Sequence, residues 1–214
     1  MGAYYEYQIT RRVDNKVQTV GLPVWGGLKF LEGFHSGESA TVYALALIRH
    51  YGSAIINTVC DYDEPNTFKY QVPYGRTYGN EYDENLTNFE RSLIDVLNET
   101  SDTDWMFLQD SLHDAYLVCA EKKQFVDMNC FFEEGFTISP LALLTRNSRE
   151  SQGGGDYFYG RVVGKYNEFH PNPNFDPELV TTWKDCELSL SFGVLNDTYE
   201  DITEKIFLKE NIWS

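Results

Sequence analysis

SGESATVYALALIRHYGSAIINTVC, residues 36–60, contains two elements of different period joined by one glycine. Ala40, Tyr43, Ala44, Leu47, Ile48 and Tyr51 recur at the spacing of one helix face. Ser36 suits the cap and Glu38 the first turn, because a helix N-terminus presents unpaired N–H groups and a partial positive charge. Arg49 and His50 suit the last turn, and Gly52 is the stop that a left-handed C-terminal residue requires. Val42 and Leu45 lie off the stripe, so the helix is expected to be covered on more than one side. Ala54 to Cys60 then reads as a short apolar strand. A packed helix running straight into a strand places the chain among mixed helix-and-sheet folds.

Working outward, Tyr5, Tyr7 and Ile9 alternate with Glu6 and Gln8, the period of a half-buried strand. Asp14-Asn15 supplies a turn, and Leu28–Glu32 reads as a second strand. A helix is expected over 85–98, with Leu86, Phe89, Leu93 and Leu97 on one face. Further strands are read at Ala115–Ala120, Gln124–Met128, Thr137–Leu144 and Arg161–Tyr166. Ser148–Gly155 is a polar, glycine-rich loop. Asp197-Thr-Tyr-Glu200 resembles a capping box opening a last helix, with Tyr199, Ile202 and Ile206 inward. The chain shows no fixed-period repeat. The expectation is a single α+β domain over 1–214, mainly antiparallel sheet with about three helices, carrying an acidic insertion at about 65–112.

Composition narrows the function classes. Among 214 residues, 33 acids face 17 bases, for a net charge of −16. At 42% apolar and 15% aromatic, the chain is too rich in rings for a disordered segment. The charge argues against direct nucleic-acid binding, which needs clustered Lys and Arg. No run approaches the ~20 apolar residues of a membrane helix. MGAYYEYQITRR lacks the basic and apolar regions of a secretory signal. Cys60, Cys119, Cys130 and Cys186 form no CxxC and read as reduced core thiols. A cytoplasmic location is expected, and no cofactor is called for.

Local motifs for catalysis are sparse. Asp61, Asp63 and Glu64 follow the strand ending at Cys60, where oxygen ligands for a divalent ion could gather. Asp156 or His170 would join them in a metal-dependent hydrolase or nucleotide-modifying enzyme. A polar loop ahead of Pro65 gives the same letters. Gly153-Gly-Gly-Asp-Tyr157 lacks the helix that must follow a phosphate-cradling loop, so a tight turn is the simpler reading. The four histidines show no HExxH spacing, Cys60 has no sequence-local base, and there is no GxSxG elbow. The balance leans away from an enzyme.

The middle of the chain is the electrostatic anomaly. Residues 81–114 hold ten carboxylates and one base, Arg91. They are not laid out as i,i+4 ion pairs, and their mutual repulsion opposes folding. A solvated acidic face is one reading, in a regulatory or scaffold protein whose acidity only keeps it soluble. The other is imitation of a nucleic-acid backbone, which presents about one charge per 1.7 Å of duplex. Glu81, Asp83, Glu84, Asp95, Glu99, Asp102 and Asp104 are the residues expected to meet a basic partner, with Tyr78, Tyr82, Phe89 and Trp105 as nearby aromatic anchors.

Several motifs together carry a resemblance. They are MGAYYEY at residues 1–7, Cys60-Asp-Tyr62, Tyr116-Leu-Val-Cys119 with Lys122-Lys-Gln-Phe-Val-Asp127, Ile138-Ser-Pro-Leu-Ala-Leu-Leu-Thr145, and Gly153-Gly-Gly-Asp-Tyr157 ahead of Val163-Gly164. In these the chain resembles a family of uncharacterised proteins from phages and conjugative elements of Gram-positive bacteria. The likeness spans 1–62 and 115–170, with about 65–112 as an addition. It brings no catalytic residues and implies a mobile-element origin. Small acidic proteins of such elements often block host nucleases, as anti-restriction and anti-CRISPR proteins do. The expectation is a non-enzymatic inhibitor that occupies the nucleic-acid groove of a host defence nuclease.

Overall fold

The computed structural model describes residues 5–13, 16–23, 30–34, 39–60, 105–132, 137–148, 157–158, 161–162, 174–206 and 208–209. The expected insertion at about 65–112 lies outside them except for its last residues, 105–112.

Strand β1 (Tyr5–Val13) forms a hairpin with β2 (Lys16–Pro23), Val13 pairing with Lys16. The second strand of the unit is therefore Lys16–Pro23 and not Leu28–Glu32. Phe30–Gly33 is instead a single helical turn, α1. That turn places Phe30 and Phe34 four residues apart, both fully buried, with their rings 5.2 Å from each other. Phe30 meets Tyr5 at 5.2 Å and Phe34 meets Tyr7 at 4.6 Å. A turn that buries two rings outweighs weak strand propensity.

Helix α2 (Ser39–Tyr51) and strand β3 (Ser53–Cys60) follow the reading of the sequence, with Arg49 and His50 in the last turn of the helix and Gly52 between the two elements at φ +81. The exception is the helix start, which falls at Ser39, after Glu38, so that its first turn holds no acidic residue. Val42 and Leu45 are fully buried along with Ala44, Leu47 and Ile48. The helix is thus covered beyond its stripe.

The main sheet has seven strands in the order β10-β5-β4-β9-β3-β1-β2. Here β4 is Tyr116–Cys119, β5 Gln124–Asp127, β9 Glu187–Ser191 and β10 Glu200–Asp201. Every pairing is antiparallel except β10 on β5, which makes the sheet mixed and the fold α+β. Two small ribbons stand apart: β6 (Thr137–Ile138) with β11 (Leu208–Lys209), and β7 (Tyr157–Phe158) with β8 (Arg161–Val162). Short helices α3 (Trp105–Leu112), α4 (Asn129–Phe132), α5 (Pro140–Leu144) and α6 (Thr203–Ile206) complete the described elements, with a 3-10 turn at Pro177–Leu179.

Three other expectations change. Thr137–Leu144 is strand for only two residues and then becomes α5. Ser139 accepts the Ala142 N–H and Pro140 opens the helix, a cap that a short apolar run cannot reveal by period alone. The expected box at Asp197–Glu200 opens no helix. Glu200 and Ile202 donate their N–H groups to Lys123 and Phe125, extending the sheet. The helix begins at Thr203, whose N–H and hydroxyl both go to the Asp201 carboxylate. Glu6 and Gln8, read as the wet side of β1, are buried at 1% and 8% exposure, with Gln8 Nε2 donating to Glu6 Oε1 at 3.1 Å. This part of β1 is covered on both faces. The helix expected at 85–98 lies outside the described residues.

Candidate interaction surface

The acidic stretch reaches the described structure at the end of α3. Asp110 stands in the last turn of that helix and Asp114 two residues beyond it, both exposed. No basic residue occupies that turn. A helix C-terminus carries a partial negative charge, so carboxylates there raise the energy of the fold. Compensation comes from another element. Arg49, in the last turn of α2, donates Nη1 to the Ser111 carbonyl at 3.2 Å and to its hydroxyl at 3.0 Å. The guanidinium brings a donor to a carbonyl in the last turn of α3 and lies 5.1 Å from the Phe192 ring centroid. Among the described residues, neither Asp110 nor Asp114 has an ion-pair partner; the described pairs are Lys205–Glu200 and Lys122–Glu121. Beside Arg49, the loop after β9 exposes Phe192 at 49% and Val194 fully.

Glu81, Asp83, Glu84, Asp95, Glu99, Asp102 and Asp104 lie outside the described residues. So do Asp61, Asp63, Glu64, Asp156 and His170. The strand expected before Asp61 does end at Cys60, a fully buried thiol. Among the described residues no group of three His, Cys, Asp or Glu could hold a metal ion. No helix among them is long and apolar enough to cross a membrane.

Beneath that end of β3 lies a buried polar seam that motif reading missed. Tyr7 Oη shares hydrogen bonds with Thr41 Oγ1 at 2.9 Å and Ser139 Oγ at 3.2 Å, joining β1, α2 and the cap of α5. Burial drives the Tyr7 phenol well above its ordinary value, and the bonds to Ser139 and Thr41 oppose the rise only in part. The phenol is therefore neutral and structural. Thr58 Oγ1 meets Thr145 Oγ1 at 2.9 Å, and the backbone of 145–147 pairs with Thr58 as a short extension of the sheet. Arg146, 1% exposed, donates Nη2 to Tyr5 Oη at 2.8 Å, with its guanidinium carbon 4.7 Å from the Phe30 centroid. A planar cation between rings keeps favourable electrostatics while shedding water. The Ser139-Pro140 pair is the one local sequence signal of this seam. Its other partners are brought together from distant parts of the chain.

The segment that follows Phe175 seals the far side of α5. Thr181 and Trp183 donate their N–H groups to Leu143 and Leu144, filling carbonyls that a helix end leaves open. Trp183 is fully buried, and its Nε1 donates to Gln124 Oε1 at 3.0 Å. Thr181 has φ 74 in a turn whose Thr182 N–H reaches the Leu179 carbonyl, with Val180 at φ −58, ψ 131. This is a type II turn with a β-branched residue where glycine is favoured.

No protein family, no curated protein and no solved structure matches the chain.

Proposed function

We propose that this is a non-enzymatic acidic inhibitor from a mobile element, acting in the cytoplasm by occupying the nucleic-acid-binding groove of a host defence nuclease. The observation that carries the reading is the ten carboxylates against one base at 81–114. Such a density has an electrostatic cost to the fold that solubility alone does not demand. Exposed Asp110 and Asp114, at a helix end where negative charge is disfavoured, support it from the described side. A basic cleft would neutralise the carboxylates and release the counter-ions held on both surfaces, so binding should weaken steeply with salt. Glu81, Asp83, Glu84, Asp95, Glu99, Asp102 and Asp104 are the contact residues of this reading, borne on an acidic insertion into one α+β domain. The test is a D95K/E99K/D102K variant in a nuclease-inhibition assay, beside pull-downs at low and high salt. Inhibition should vanish with folding unchanged, and a basic nuclease should be retained at low salt only. Undiminished inhibition by the variant removes the mimicry reading, and a salt-insensitive partner favours a merely solubilising acidic face.

A further inference from the structure

Two of the four buried thiols are neighbours. Cys119 closes β4 and faces Leu188 across the antiparallel β4–β9 pair. Cys186 precedes Leu188 by two positions, which makes it the diagonal neighbour of Cys119 on the same face. Both lie on the core side, at 0% and 3% exposure, and the Cys119 thiol lies within electrostatic reach of Cys186. The chain around Cys186 is held from several directions. Its N–H goes to the Trp183 carbonyl at 3.1 Å. Asp185, at φ 62, exchanges two hydrogen bonds with Asn57, one from Asn57 Nδ2 at 2.7 Å and one from its own N–H at 2.9 Å. Cys60 and Cys130 lie elsewhere, at the end of β3 and in α4.

We propose that Cys119 and Cys186 form a reversible disulfide under a peroxide-class oxidant, tying the turn at 180–186 to β4. One sulfur attacks a peroxide oxygen, the O–O bond breaks and water leaves, giving a sulfenic acid. The second sulfur attacks the first, the S–O bond breaks, a second water leaves and the S–S bond forms. Two thiols are oxidised by two electrons and one peroxide is reduced to two waters. Dithiothreitol reverses the bond. The reaction is slow at neutral pH. Burial, then Cys119 beside it, pushes the Cys186 thiol up to about 12, with Glu121 adding to the rise and Lys122 opposing it. The thiolate is the reactive form, so the rate climbs with pH. Entry of the oxidant requires the turn to open, and Thr181 at φ 74 makes that turn a strained part of the chain.

The test uses the full, reduced chain treated with hydrogen peroxide at pH 7 and pH 9. Each of the four cysteines falls on a different tryptic peptide, so a non-reducing map assigns every link. The expected result is loss of two thiols, a link between the peptide ending at Lys122 and the one beginning at Asp185, and faster linking at pH 9. The oxidised chain should melt several degrees higher than the reduced one, because a cross-link restricts the unfolded chain. C60S should behave as the parent, and C186S should lose no thiol pair. Four thiols persisting, a link through Cys60 or Cys130, or a lowered melting temperature on linking would each overturn the proposal. The peptide map of the parent chain decides the matter even where a variant folds poorly.

Discussion

Replacing Tyr7 by Phe removes one oxygen from the centre of the buried seam and leaves the ring in place against Phe34, 4.6 Å away. That oxygen links Thr41 and Ser139. Ser139 still accepts the Ala142 N–H, whereas Thr41 loses its partner at a site with no solvent exposure. A net hydrogen bond contributes ~1 kcal/mol and a buried hydroxyl left unpaired costs ~1–3 kcal/mol, so Y7F should cost about 2 kcal/mol. In a chain of this size that is a fall in melting temperature of about 4–8 °C. T41V alone should cost about 1–2 kcal/mol. With both ends of the contact apolar, Y7F/T41V should cost about 1 kcal/mol less than the sum. Urea titration of the four proteins at 25 °C reads the cycle. The pH dependence gives a second readout. The folded phenol is raised above the ordinary 10.0, so the folded state keeps its proton longer than the unfolded one. Its contribution is full below pH 10 and is lost as pH rises through the folded value. Above pH 10 the parent should lose up to ~1.4 kcal/mol per pH unit from this one group, and Y7F should be spared that slope. Tyr43, also raised by burial, titrates in both proteins and cancels in the comparison. Strictly additive costs with identical alkaline slopes would refute the account of the seam.

Four further outcomes are expected. T181G should stabilise the chain by about 1 kcal/mol in urea, since relief of the φ 74 conformation exceeds the entropy glycine adds to the unfolded state; a loss would mean the threonine side chain matters more than its backbone. R49A should lower stability by about 1 kcal/mol through loss of its two hydrogen bonds to Ser111 and of the Phe192 contact, read by thermal melting. Sodium chloride at ~0.5 M should raise the melting temperature at pH 7, because screening weakens the self-repulsion of a chain carrying −16; a flat response would show the carboxylates are already neutralised within the fold. Millimolar Mg²⁺ or Mn²⁺ should leave the melting temperature unchanged, and a clear rise would instead favour an ion held by Asp61, Asp63 and Glu64.

Much of the framework is legible in the chain itself where period is long and bounded by punctuation. Helix α2 has thirteen residues, a continuous face and a glycine stop, so its face, its end and its sequel β3 follow from spacing alone. The strands at Tyr116–Cys119 and Gln124–Asp127 fall inside the apolar runs that announced them. Shorter elements are misread for a common reason. Phe30–Gly33, Pro140–Leu144 and Thr203–Ile206 have four or five residues, too few for a period to show. Their state is set by what they pack against: the rings of Tyr5 and Tyr7, the carbonyls met by Thr181 and Trp183, and the edge of β5 that captures Glu200.

Local spacing, charge count and glycine placement determined the class of the fold, its central helix-to-strand unit and the acid concentrated at 81–114, because each is a property of neighbours along the chain. Tertiary structure alone decided that Glu6 and Arg146 are buried, that Tyr7 joins residues 34 and 132 positions away, and that Cys119 lies beside Cys186. Those facts rest on register and packing between distant segments, which no window of sequence contains.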